Sequence, residues 1–587
     1  DQSRSEIVTG GNVIFKGGTG NAGSLTIAQG GQVAVSAGRR IFTESGSTID
    51  VSGVRDVQLA MSANNLKVNI QGNELRDSPV NRDNTYLKNA DVWVDIRDLI
   101  FVPKGTGGYD SDRYYTPGGL LEVGGYLANT AHTIGEWSAV GGTITLSAPE
   151  VIAQKGSIFD ISGGSLAYAG GNIQTTNFLG KDGRLYNIND ARGDMTFYGV
   201  GEGFVRSNDR WGVTQVWSSP FGKGRVSTRW EDGYTVGRDA GRLNLSTPTV
   251  VFEGDILADV VQGSRQINAR PSGLTDGYKA GQNQVAKAGT LGLGRYDVRG
   301  TSQIGFYNTD VRFGNVAAIT AGLSAADALP SARTGTAWFD ASHINALKLG
   351  GLDIGSSDTI TIDRAITLAD GGGITLMAPV VDIKADVTAR SGSLTADNYF
   401  KGDLAGGRGA ETVLLKNGTA SVTVRNGVTL DLRGEWVNAL DNPADTTKQA
   451  YINGGTVTLK STHDVTLQKG SAIDVSSGGA ILPNGKFKGG RGGDVTLIAD
   501  QEVSQLQANG LLTLDGNIRG YGVSGGGTLR IESGTAIGIG GKLLANDGVL
   551  GAGEKAPADL ILLQDYQVKA GDVLPCLLYT SPSPRDS

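Results

Sequence analysis

In 587 residues the chain holds one cysteine, three histidines and 15 prolines. A single thiol cannot build a disulfide framework, and thiolate metal sites of the usual spacing are excluded. His132, His343 and His463 stand far apart, with no second ligand at metal spacing and no partner for a hydrolytic triad. Charged residues are only 19% of the chain, too few for a disordered polyampholyte, and the low proline count argues against a stiff linker. No run approaches the roughly 18 consecutive apolar residues of a membrane helix. With 52 basic and 59 acidic residues, the net charge of -7 supplies no basic footprint for nucleic acid.

What the sequence does have is glycine, 91 residues, about twice ordinary usage. No Gly-X-Y period runs through them, which excludes collagen. They fall instead as Gly-Gly pairs between short alternating runs rich in Val, Ile, Leu and Thr, a many-stranded β pattern. Three segments nearly repeat one another: Ser47-Thr48-Ile49-Asp50-Val51-Ser52-Gly53, Ser157-Ile158-Phe159-Asp160-Ile161-Ser162-Gly163 and Ser471-Ala472-Ile473-Asp474-Val475-Ser476-Ser477-Gly478. A second unit, Gly-Gly-Thr-[Ile/Val]-Thr-Leu, stands at 141–146 and 454–459, with related strands opening at Gly373, Gly493 and Gly527. From Gly454 to Gly479, Val457 and Leu459, Val465 and Leu467, then Ile473 and Val475 mark three short strands separated by turns. If each such coil of about 20 residues lies on the previous one, the strands pair in parallel and the apolar positions stack into one column. The expected fold is therefore all-β, a right-handed parallel β-helix (β-solenoid) with loop or subdomain insertions. A sandwich or barrel would need antiparallel hairpins with two-residue Asn-Gly or Asp-Gly turns, and these are few.

The pattern places coils at 1–53, 141–164, 241–257 and 350–575. It weakens over an insertion-rich region at 54–140, an aromatic-rich insertion at 165–240 and an irregular region at 258–349. In solenoids, insertions map to the connections between strands, where binding surfaces are commonly carried. The chain starts at Asp1 with no initiator Met or signal peptide, so an interior fragment is expected. Residues Cys576 to Asp586 read CLLYTSPSPRD, the translation of a common sequencing adaptor, so 576–587 is set aside as a probable artefact.

The Gly-Gly-x-[Val/Ile]-Thr-Leu strands and Ser-x-Ile-Asp-[Val/Ile]-Ser-Gly units resemble the filamentous haemagglutinin family of large exoproteins, over most of 1–575. That resemblance implies a structural shaft of a secreted adhesin on the surface of a Gram-negative bacterium. It also implies export through an outer-membrane two-partner secretion transporter, recognised by an N-terminal domain upstream of Asp1, and a host-cell or bacterial receptor or glycan as partner. Only Asn442-Pro443-Ala444-Asp445 and Pro483-Asn484-Gly485 approach the family's secretion-domain motifs. Two alternatives stay open: the stick of a contact-dependent toxin-delivery protein, and a secreted β-helix polysaccharide lyase or hydrolase.

No catalytic, cofactor-binding or metal site is assigned, and the chain is read as a non-enzyme. Candidate receptor contacts lie in the 165–240 insertion. Arg192-Gly193-Asp194 is an integrin-type tripeptide, of which chance alone supplies roughly 0.3 in such a chain, so a plain loop turn explains it too. Trp211, Trp217 and Trp230, with Tyr198, could form an aromatic platform or pack the insertion onto the shaft. Gly489 to Leu497 resembles a calcium-binding glycine-rich nonapeptide, but it occurs once and reads equally as a turn entering a strand. Lys486, Lys488 and Arg491 form a small basic cluster of the kind usual in solvated turns. Asp50, Asp160 and Asp474 recur with the repeat on the outer face of a strand, where a role in solubility or edge protection is expected rather than catalysis, which needs one unrepeated constellation.

Overall fold

A computed structural model describes residues 4–17, 25–27, 30–201, 203–208, 210–211, 213–218, 225–267, 284–297, 302–401, 411–442, 448–501, 510–533, 537–538, 573–574 and 577–580. The chain is all-β, dominated by long parallel sheets. Sheet A has 12 strands and sheet B has 11, and a shorter third face, C, is divided into runs of four and five strands. One pass of chain gives a strand to A, then B, then C. Thr143–Ser147, Glu150–Ala153 and Ile158–Asp160 make one such pass, and Thr456–Lys460, Asp464–Leu467 and Ala472–Asp474 another.

Alternation decides which way each residue faces. In Thr456–Lys460 the second and fourth residues, Val457 and Leu459, are buried and the Thr and Lys positions are not. Because the register is parallel and in step, like sits on like: Ile144, Leu243, Leu291, Leu352, Ile374, Leu394, Val457, Val495 and Leu529 are successive partners along sheet A. Their side chains belong to one hydrophobic cluster that runs without a break from Phe15 to Ile531. Adjacent strands lie about 4.8 Å apart, so each buried side chain meets the equivalent one on the next pass.

Two kinds of glycine set the corners. The turn between B and C uses left-handed backbone, as at Gly156 with φ 85°, where the Ser157 N–H donates to the Gln154 carbonyl at 3.0 Å. The turn into A needs glycine for space. A Cβ on Gly142 would strike the Gly31 carbonyl oxygen, one on Gly455 that of Gly392, one on Gly493 that of Gly455 and one on Gly527 that of Gly493. The glycines stack as the strands do.

The region between 258 and 365 departs from this plan. Thr290–Leu293 joins sheet A, but Asp310–Gly314 and Thr336–Asp340 enter sheet B in reversed order, with Phe313 and Phe339 stacked 5.2 Å apart. Face C has no strand here among the described residues, and the helix Ala341–Ala346 presents Ile344 to the main core instead. At the far end, Leu577–Thr580 pairs antiparallel with Leu529–Glu532.

Residues 57–138 and 165–237 leave the stack at one corner, directly after face C, and fold against each other. Their root is a small sheet in which Ser165–Tyr168 pairs with Val57–Leu59 and Tyr234–Gly237. Beyond it, Leu66, Val68, Leu87, Val92, Leu120 and Val123 from the first segment share a core with Phe178, Ile188 and Phe197 from the second. The two segments thus build one lobe with a core separate from that of the stack.

Candidate binding lobe

The lobe is fastened by charge as well as by apolar packing. Asp95 and Glu231 are fully buried carboxylates, and Arg97, 4% exposed, donates to both, its Nη2 lying 2.7 Å from Asp95 and 2.8 Å from Glu231. Arg265, from the short helix Ser264–Ile267, donates to Glu231 at 2.8 Å, and Arg229 reaches the same carboxylate at 2.8 Å. The Arg265 guanidinium lies 3.8 Å above the Tyr234 ring, which is itself stacked on Tyr168 at 4.8 Å. Burial alone would push the Glu231 carboxyl upward, but donation from Arg97, Arg265 and Arg229 outweighs it and holds the group at about 2. Both carboxylates are spent on ion pairs, so the cluster is a clasp joining segments 91–98, 226–234 and 264–267. Nothing in the composition pointed to it. A charged residue, Glu231, stands at a buried position of the strand Val226–Glu231.

Among the described residues the candidate contacts stand on different elements of the lobe. Arg192 and Asp194, both largely exposed, close on each other through a two-pronged ion pair with Nε to Oδ1 at 2.9 Å, which lowers the Asp194 carboxyl. Gly193 is packed on Gly119, and its carbonyl accepts from the Ser78 hydroxyl. The tripeptide therefore joins the two segments of the lobe, and its charges serve each other first. Trp211 stands 69% exposed at the tip of the hairpin Gly203–Asn208 with Val213–Ser218, with the Arg210 guanidinium 5.5 Å from its ring. The Trp217 side chain lies outside the described residues, and only its backbone, opposite Phe204, is placed. Trp230 projects from Val226–Glu231, its indole N–H donating to Asp232 at 3.1 Å. Elsewhere on the lobe Tyr198 meets Tyr86 edge to face at 5.2 Å, a pairing of residues from the two segments. Among the described residues the lobe carries several exposed aromatics, and neither Trp211 nor Trp230 stacks on another ring.

The recurring aspartates have a local task. The Oδ1 atoms of Asp50, Asp160 and Asp474 accept from the backbone N–H two residues on, at 2.9, 3.0 and 3.0 Å, and Asp431 does the same to Arg433 at 3.2 Å. Each closes the turn that leaves face C. Asp494, the acid of the glycine-rich nonapeptide, accepts from the Thr528 N–H on the next pass at 2.9 Å. His343 bonds the Gly254 carbonyl at 2.8 Å, while His132 faces Glu136 and His463 faces Asp464. Among the described residues no three His, Cys, Asp or Glu side chains gather as a metal site, and no helix is long and apolar enough to cross a membrane.

In comparisons with known proteins, no family model, no curated protein and no solved structure matches the chain.

Proposed function

We propose that this chain is a length of shaft from a secreted bacterial surface adhesin of the filamentous haemagglutinin type, and that its sheets wind as a right-handed parallel β-helix. The observation that carries the reading is the division of labour between the two cores. One uninterrupted apolar column supports three stacked faces, whereas the lobe at 57–138 and 165–237 has its own interior and exposes Trp211, Trp230, Tyr86 and Tyr198. A stack of this kind holds a lobe at a fixed place and distance, and exposed aromatics are favoured anchors for sugar or protein partners. The resemblance in sequence supplies the rest of the proposal: export by a two-partner transporter, a Gram-negative surface, and attachment to a cell or glycan without catalysis.

The test is binding of the protein to cultured epithelial cells and to a glycan array, beside a variant in which short linkers replace the outer parts of both lobe segments. Saturable binding that disappears with the lobe is expected. A folded, β-rich protein that does not bind, or one that binds equally well without the lobe, would overturn the proposal.

A further inference from the structure

Between the reversed strands Asp310–Gly314 and Thr336–Asp340 the chain does not take a short way across. Residues 316–330 run back over three earlier passes, on the outer side of sheet B. Beneath them lie Phe42, Ile152 and Val251, direct register partners on the strands Arg40–Thr43, Glu150–Ala153 and Val250–Phe252. Their neighbours Ile41, Val151 and Val250 point into the main core, so alternation turns these three outward, yet each is at most 1% exposed. Ile319, Leu323, Ala325 and Leu329 pack on them and close a separate apolar cluster. Further along the sheet the same outward column reads Asp382, Thr423, Thr466 and Thr513, as suits a face that meets water. The apolar part of the column therefore coincides with the cover.

Each of the three passes also holds the segment by one polar side chain. Glu253, just past Val250–Phe252, accepts from the Ile319 and Thr320 N–H groups at 2.6 and 3.1 Å and from the Thr320 hydroxyl at 2.5 Å. Gln154, just past Glu150–Ala153, donates to the Thr320 and Leu323 carbonyls at 3.2 and 2.8 Å. Arg40 donates to the Ala325 and Asp327 carbonyls at 3.0 and 2.6 Å, while its other nitrogens hold Glu150. Residues 316–330 contain no strand or helix, so these bonds and the apolar cluster fix their path.

We propose that 316–330 is a strap that locks these three passes into one cooperative unit. In a plain stack each pass touches only its neighbours, and passes can open one at a time. Here opening the strand at Arg40 strips contacts from the strap, and through the strap from Glu253, two passes away. The inference concerns the stack alone and rests neither on the lobe nor on an adhesive role.

The experiment is hydrogen exchange of the whole protein read by mass spectrometry, with far-UV circular dichroism as the check on folding. Ile319→Ala with Leu323→Ala alters no strand residue. It should speed exchange in Arg40–Thr43, Glu150–Ala153 and Val250–Phe252 together, by roughly tenfold or more, and leave Asp464–Leu467 of the same sheet unaffected. Arg40→Gln, at the far end of the strap, should speed exchange in Val250–Phe252 as well as in its own strand. Unchanged protection of all three strands in the first variant would overturn the proposal. So would a response to Arg40→Gln confined to Arg40–Thr43 and its neighbour Glu150–Ala153, which is what contacts between adjacent passes alone produce.

Discussion

Gly493 shows how much of this architecture rests on a missing methyl group. Its backbone passes so close to the Gly455 carbonyl oxygen that any side chain would collide with main-chain atoms, which cannot rotate away as a long side chain could. Gly493→Ala should therefore cost about 1–3 kcal/mol, the usual penalty of overpacking, and open the neighbouring strand Asp494–Ile498 to hydrogen exchange. Gly125→Ala is the control, since that glycine lies in the helix Gly124–Ala128 with open space around its Cα. There alanine should be neutral or stabilise by up to about 1 kcal/mol. Equal effects at the two positions would show that the glycines are not set by close approach. At the same scale, the repeated aspartates were legible as a repeat but not as turn-closing acceptors. Alternation put them outside the strand, and it does not reveal that each carboxylate folds back onto the backbone two residues ahead.

At the scale of elements, the strands were the most readable part of the sequence. Period-two burial and a parallel register both follow from stacking like on like, so Val457, Val465 and Ile473 announce their three sheets directly. The lobe was much less readable. Segments 54–140 and 165–240 look like two insertions, yet Leu66 and Phe178 belong to one core, an association across more than a hundred residues that no local pattern encodes. The reversed strands at 310–314 and 336–340 are hidden for the same reason. The charged clasp at the root of the lobe has a consequence for acid stability. Arg97, Arg265 and Arg229 hold the folded-state Glu231 carboxyl at about 2, below the ordinary value of 4.5. The stabilisation it gives is thus present in full above that ordinary value and is lost as pH falls through it toward 2. Proteolysis of the lobe should rise over this window while the stack stays resistant. Glu231→Gln should make the lobe labile already at neutral pH, because Arg97 and Arg229 would then share only Asp95 and Arg265 would lose its charged partner Glu231. A lobe as resistant at pH 2.5 as at pH 7, or untouched by the substitution, would contradict the role given to the clasp.

For the molecule as a whole, stability is spread over many nearest-neighbour contacts, which suits the shaft proposed above. The lobe and the strands Trp436–Asn438 and Gly479–Ile481 both emerge after face C, so both features share one corner of the stack. All of this depends on successive passes lying in parallel register, and paired cysteines test that most directly. With Cys576→Ser, the chain has no thiol of its own. Thr395 and Thr458 are direct partners on the outer face of sheet A, 63 residues apart in sequence. Neighbouring strands about 4.8 Å apart bring such positions within disulfide reach. Under mild oxidation Thr395→Cys with Thr458→Cys should form an intramolecular disulfide in high yield, whereas Thr395→Cys with Lys460→Cys, two residues out of register, should not. Failure of the first pair in a folded protein, or equal yields from both, would contradict the stacked parallel register on which the account stands.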